Sequence, residues 1–137
     1  MPDLTCRLQV VKGFPGFAVV SIKGSIDPRN LETLSQTLAA ARGRGFRTLV
    51  LDLGEIRYIN SAGLSYLVNL ADQLVERGGG MYLANPQPKV KVVFELMGIT
   101  QFFKLHRTVD TALRLAIAQD SRRFAKPRPT GTGSRRP

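Results

Sequence analysis

The apolar and polar positions of this chain alternate between strand-like and helix-like spacing. Residues 4–11 and 17–23 are rich in apolar residues with partial alternation, which predicts two strands. Residues 14–17 read Phe-Pro-Gly-Phe. Because Pro presets the second turn position and Gly accepts a positive φ at the third, they predict a hairpin turn. Residues 48–53 form a nearly continuous apolar run, which is typical of a buried central strand, and a short loop is predicted behind it.

Four further segments carry apolar residues at helical spacing. Asp27 and Pro28 predict the start of the first helix, because Asp caps free amides and Pro suits the first helical position. The other three helices are predicted behind Asn60, behind Pro86 and behind Thr108.

Two short apolar segments, residues 81–84 and 102–106, predict additional strands between these helices. The resulting order is β-β-α-β-α-β-α-β-α, with one hairpin before repeated crossovers. This order predicts an α/β fold in which a mixed sheet is packed with about four helices. A length of 137 residues is enough for one such domain.

The net charge is concentrated near the C-terminus. The chain has 20 Lys and Arg residues against 10 Asp and Glu, a net charge of +10. Residues 119–137 hold six basic residues and one acidic residue, which is half of that net charge, and no apolar residue follows Ala125. Such a segment buries too little surface to offset the entropy of ordering. We therefore predict a folded domain over residues 1–118 and a disordered basic tail over residues 119–137.

Few residue types that carry catalysis or bind metals are present. The single cysteine, Cys6, excludes an internal disulfide and a cysteine-rich metal site, and the single histidine, His106, has no partnered motif. The glycines at 78–80 match neither phosphate-binding glycine motif and predict a helix end. We expect no enzyme activity, no cofactor and no metal. The absence of a long apolar run or a signal-peptide pattern favours a cytoplasmic protein without membrane insertion.

The most informative segment is residues 60–64, Asn-Ser-Ala-Gly-Leu, directly before a strongly periodic helix. One interpretation is structural: Asn60 or Ser61 caps the helix, a contact worth about 1 kcal/mol. The other is functional: Ser61 is phosphorylated, which adds about −1.5 to −2 charges beside the free amides of the helix start.

Other segments favour the functional interpretation. Residues 24–27, 49–53 and 58–64 occur in order, followed by Leu-Ala-Asn-Pro at 83–86 and Val-Phe-Glu-Leu-Met-Gly-Ile at 93–99. This ordered set resembles the STAS domain of the bacterial anti-sigma factor antagonist family over residues 4–118.

The resemblance implies a partner-switching module. In that family the unphosphorylated protein binds a serine kinase that is also the anti-sigma factor, phosphorylation of one serine releases it, and a PP2C-type phosphatase restores the first form. Ser61 matches that serine. Asp27 matches the family's acidic surface residue, Gly63 matches its glycine, and Asn60 stands where Asp is commonest. Ala62 stands in place of a second hydroxyl residue. From the resemblance we expect Asp27, Asn60, Ala62 and Gly63 to bind the partner.

Two alternatives remain at this point. The chain is a STAS scaffold subunit, of a stressosome-like assembly or a lipid-transport ATPase complex, in which Ser61 is only a cap. Alternatively, its positive charge binds nucleic acid, although no aromatic platform or recognition-helix motif accompanies that charge.

Because Gly63 lies in the first turn of a predicted helix, its replacement by Ala is expected to stabilise the domain by about 0.5–1 kcal/mol if the backbone angles allow it.

Overall fold

Five strands and four α-helices alternate along residues 4–125, which are the residues that the computed structural model describes. A short 3-10 helix at Ile99–Gln101 follows the third α-helix. The strands are β1 Thr5–Val10, β2 Phe17–Ile26, β3 Thr48–Ile59, β4 Gly80–Ala84 and β5 Leu105–His106. The helices are α1 Leu31–Gly43, α2 Ser61–Glu76, α3 Pro88–Leu96 and α4 Val109–Ala125.

The strands form one mixed sheet in the order β1-β2-β3-β4-β5. β1 pairs antiparallel with β2, and the other neighbours pair in parallel. The parallel strands therefore run toward a common edge, here called the C-terminal edge. There β2 and β3 extend to Ile26 and Ile59, beyond the end of β4 at Ala84, which pairs with Asp52. They begin at the opposite edge, here called the N-terminal edge, where Phe17 pairs with Thr48 and Thr48 pairs with Gly80.

The helices cover both faces of the sheet, as the crossover pattern predicts. The larger buried cluster joins one sheet face to α1, α2 and α3 through residues such as Leu38, Leu67 and Phe94. The smaller cluster joins the other face to α4 through Val50, Ala84 and Ala112. The predicted fold class is confirmed.

The hairpin turn also forms as predicted. The Phe17 amide donates to the Phe14 carbonyl at 3.2 Å, and Gly16 has a φ of +91°. A positive φ at the third turn position is the conformation that glycine adopts at little cost.

Two predicted boundaries differ from the structure. The loop expected behind residue 53 does not form, because β3 continues to Ile59 through irregular parallel pairing with β2. The first helix begins at Leu31 and not at Pro28. The backbone amides of Arg29 and Asn30 donate to the Asp27 carboxylate, so that this side chain caps a turn that precedes α1.

The boundary predicted at residue 118 falls inside α4, which continues to Ala125. Two side chains beyond residue 118 contact the domain: the Tyr82 hydroxyl donates to Gln119, and Asp120 forms an ion pair with Arg47 at 3.3 Å. Contrary to the prediction, these residues are therefore part of the domain. Residues 126–137 of the predicted tail lie outside the described residues. Within residues 4–125, none of the helices combines the length and the apolar character needed to cross a bilayer.

Candidate functional site

The start of α2 is fixed by a side-chain cap. Asn60 has extended backbone angles, and its Oδ1 accepts a hydrogen bond from the Gly63 amide at 2.8 Å. Its own amide donates to the Ile26 carbonyl at 2.9 Å, which ties the end of β3 to the end of β2. The structural interpretation of Asn60 is thereby confirmed, and the cap holds the next residue, Ser61, in one place.

Ser61 is the first helical residue of α2 and is exposed at the C-terminal edge. The first amides of a helix have no acceptor within the helix. The Asn60 side chain accepts a hydrogen bond from the Gly63 amide, whereas the amides of Ser61 and Ala62 have no acceptor among residues 4–125. No acidic residue lies in the first turn of α2. An anionic group on the Ser61 oxygen would thus meet free N–H donors and the positive end of the helix dipole.

Gly63 faces the interior, and Ala62 beside it is exposed. A methyl group added at Gly63 would lie 2.6 Å from Ile26 Cγ2 and 3.1 Å from Ile59 Cγ1. Both isoleucines are buried. These short distances argue against the expected stabilisation by Gly63→Ala, because glycine here lets the first turn of α2 approach the ends of β2 and β3. A direct contact of Gly63 with a partner stays a prediction.

Asp27 lies beside this helix start because it follows Ile26, whose carbonyl binds the Asn60 amide. Its carboxylate accepts hydrogen bonds from the Arg29 amide at 2.9 Å and from the Arg29 guanidinium at 3.1 Å. Partial burial raises the pKa of Asp27. The hydrogen bonds from Arg29 and Asn30, together with the charge of Arg29, outweigh that effect, so the pKa lies below its ordinary value.

Sequence reasoning missed two residues that shape the Asp27 loop. Arg29 compensates the charge of Asp27, so the surface beside Ser61 is less acidic than the lone carboxylate suggested. Asn30 is buried, and its side-chain amide donates to the Ser25 carbonyl at 2.8 Å, which holds the loop against β2. The run Asp-Pro-Arg-Asn at residues 27–30 carries the composition of such a turn and could have revealed it.

Asp52 and His106 lie in structural settings. The Asp52 carboxylate accepts from the Gly54 amide at 3.0 Å and from the Asn85 side chain at 3.2 Å, so it joins β3 to the residue that follows β4. His106 is buried, and both its burial and the charge of Lys104 lower its pKa. Within residues 4–125, no group of three His, Cys, Asp or Glu side chains is placed to hold a metal ion.

Comparison with known proteins assigns the family. The STAS domain family model matches residues 9–112. A protein of Bordetella bronchiseptica, provisionally named anti-sigma factor antagonist BtrV, is 35% identical over 97 residues, which are 71% of this chain and 84% of that protein. The chain is a STAS domain protein of the anti-sigma factor antagonist family.

Solved structures of the STAS fold support the architecture. The anti-sigma factor antagonist SpoIIAA in its unphosphorylated form superposes with a TM-score of 0.69 at 20% identity, covering 83% of this chain and 97% of that one. The Bacillus cell fate determinant SpoIIAA in the phosphorylated form gives a TM-score of 0.61 at 18% identity, covering 81% and 99%. At these identities the likeness concerns the fold.

Proposed function

We propose that this antagonist works by partner switching, with Ser61 as its phosphorylated residue. In its unphosphorylated form the chain binds an anti-sigma factor that is also a serine kinase, in the cytoplasm, and thereby frees a sigma factor. The kinase transfers the γ-phosphoryl group of ATP to the Ser61 Oγ, whose proton is lost as ADP leaves. A PP2C-type phosphatase hydrolyses the phosphoester and restores binding. The antagonist itself supplies no catalytic group and needs no cofactor.

One observation carries this proposal: Ser61 is exposed at the first position of α2, directly behind the Asn60 cap and beside amides that have no acceptor among residues 4–125. A kinase can reach this hydroxyl without unfolding the chain. Two similar proteins support this proposal. BtrV is named as an anti-sigma factor antagonist, and SpoIIAA has been solved in its unphosphorylated and its phosphorylated form.

The phosphate would change binding through local electrostatics. It places nearly two negative charges in the middle of a surface formed by the start of α2 and the Asp27 loop. A partner that buries this surface would have to desolvate the phosphate or pair it. A tenfold loss of affinity corresponds to only about 1.4 kcal/mol, which is within the cost of one poorly paired buried charge.

The test uses the serine kinase of the anti-sigma type that is encoded nearest to this chain. The chain is incubated with the kinase and ATP, and the phosphate is located by mass spectrometry of its peptides. We expect one phosphate on Ser61 in the parent and none in Ser61→Ala. Ser65→Ala is the matched control, because Ser65 is also exposed on α2, one turn further along. It should be phosphorylated like the parent.

Two results would contradict the proposal. Phosphate on another residue, with Ser61 unmodified, would assign the switch elsewhere. Unmodified protein together with tight binding to transporter subunits or to further STAS chains would favour the scaffold role, in which the Ser61 region is only a helix start.

A further inference from the structure

Large exposed apolar side chains are concentrated at the N-terminal edge, away from Ser61. Among residues 4–120, whose side chains the structure describes, eight such side chains are exposed. Six of them lie at or near the N-terminal edge: Val10, Phe14, Val75, Leu96, Met97 and Phe102. Of the remaining two, Val92 lies on α3, and Tyr58 lies near the C-terminal edge.

The chain path places these residues together. The β1–β2 hairpin, with Phe14, precedes Phe17 at the start of β2. The end of α2, with Val75, is fixed at the start of β4, because the Gly79 amide donates to the Leu74 carbonyl and the Gly80 amide donates to the Arg47 carbonyl.

The end of α3 reaches the same edge. α3 starts behind the end of β4, where the Gln87 side chain donates to the Gly54 carbonyl. Over nine residues it runs back for about 13 Å, which carries Leu96 and Met97 toward the N-terminal edge. Phe102 follows there, before the chain returns to β5.

The exposed side of α3 is unlike those of the neighbouring helices. α3 buries Val90 and Phe94, and Val92 and Leu96 point to the opposite side, where Leu96 is 80% exposed. The exposed faces of α1 and α2 carry polar or small residues apart from Val75. The exposed residues of α3 also include Lys89, Lys91 and Glu95, so Val92 and Leu96 form an apolar patch bordered by charged side chains. Large apolar side chains that are exposed in this way indicate a surface that is covered in function.

Positive charge accompanies the apolar side chains. Exposed cations at the N-terminal edge include Lys12 in the hairpin, Arg44 behind α1 and Arg77 behind α2. Glu76 and Glu95 are the exposed carboxylates at the ends of α2 and α3. The ion pair between Arg47 and Asp120 brings the second half of α4 to this edge as well. α4 ends at Ala125, and the sequence of residues 122–137 contains six basic residues and no acidic one.

We propose that the N-terminal edge docks on the surface of an anionic lipid bilayer. The exposed apolar side chains enter the boundary between head groups and acyl chains, and the cations contact lipid phosphates. A second copy of the chain is disfavoured because two equally basic edges repel each other. Nucleic acid would pair with the cations but would leave the Leu96 and Met97 side chains without a partner. Such docking does not cross the bilayer, and it leaves Ser61 accessible at the opposite edge.

The test is co-sedimentation of the full chain with vesicles of phosphatidylcholine that contain about one-third phosphatidylglycerol, beside vesicles of phosphatidylcholine alone. The test variant is Leu96→Ser with Phe102→Ser, since these side chains are 80% and 64% exposed and their loss should leave the fold intact. The matched control is Tyr58→Ser, whose side chain is 52% exposed near the other edge. A third variant lacks residues 126–137.

We expect the parent and Tyr58→Ser to sediment with the anionic vesicles and not with the neutral ones. The double variant should lose roughly tenfold or more in partition coefficient, because two apolar side chains no longer leave water. The variant without residues 126–137 should keep measurable binding through the edge itself.

Three outcomes would overturn the proposal. Equal binding of the double variant and the parent would show that charge alone attracts the chain. A parent dimer that the double variant dissociates, without vesicle binding, would assign the edge to a second copy. Binding to duplex DNA but not to vesicles would assign it to nucleic acid. Circular dichroism and thermal unfolding of each variant establish that the fold is retained.

Discussion

Replacing Gly63 by Ala tests whether close packing or helix propensity decides the stability of the α2 start. The added methyl group would lie 2.6 Å from Ile26 Cγ2, closer than carbon atoms can approach without movement. The nearest atom is a buried, branched side chain at the end of a central strand, so relief requires a shift of the helix or of β2.

The magnitude follows from two opposing terms. Overpacking of a core typically costs about 1–3 kcal/mol. The gain in helix propensity from Gly to Ala is about 1 kcal/mol in a helix interior and smaller in the first turn. We expect Gly63→Ala to lower the free energy of unfolding by about 1–2 kcal/mol, the difference between these terms.

The assay is urea unfolding followed by circular dichroism, with two controls. Gly43→Ala makes the same change at a helical glycine that has open space around it, and should stabilise by up to about 1 kcal/mol. Ile26→Ala removes Cγ2, so Gly63→Ala should cost little in that background, whereas Ile26→Val keeps Cγ2 and should give no rescue. If Gly63→Ala stabilised the domain as Gly43→Ala does, the packing argument would be refuted.

Three further predictions concern the same elements. Asn60→Ala should lower the free energy of unfolding by about 1 kcal/mol through loss of the cap, and Asn60→Asp should keep it, as urea unfolding of both will show. The Asp27 carboxyl should titrate below its ordinary pKa by NMR, and Arg29→Ala should raise its midpoint. Because this pKa is lowered in the folded state, its contribution to stability is present above the ordinary pKa and is lost as the pH falls through the folded pKa. Deletion of residues 126–137 should shift the thermal midpoint by less than about 2 °C, because α4 and its ion pair with Arg47 remain.

The sequence pattern was sufficient for the order of elements because periodicity and turn residues act locally. The Phe-Pro-Gly-Phe turn and the Asn60 cap depend on a few neighbouring residues, and both form as predicted. The continuation of β3 to Ile59 was not visible, since it depends on pairing with β2, which is distant in sequence. The extension of α4 was missed for a similar reason: its last turns are polar, and their contacts with Tyr82 and Arg47 come from tertiary structure.

At the candidate site too, features set by neighbouring residues were predictable and features set by tertiary contacts were not. Ser61 and Asn60 were identified from one short segment, and the structure places both at the start of α2. The burial of Gly63 was not predictable from its own helix, because the atoms that crowd it belong to Ile26 and Ile59. The pairing of Asp27 with Arg29 is local in sequence, but it was not predicted. The sequence analysis assigned the Asp27 side chain to a helix cap, whereas in the structure it caps a turn before α1.

Phosphate on Ser61 should weaken binding to the anti-sigma partner. The most direct measurement is isothermal titration calorimetry of that partner against the unmodified chain and against the chain phosphorylated fully on Ser61. Partner switching through Ser61 predicts a dissociation constant at least about tenfold larger for the phosphorylated chain, equivalent to about 1.4 kcal/mol, with Ser61→Ala binding like the unmodified form. Equal dissociation constants for the two forms would contradict it.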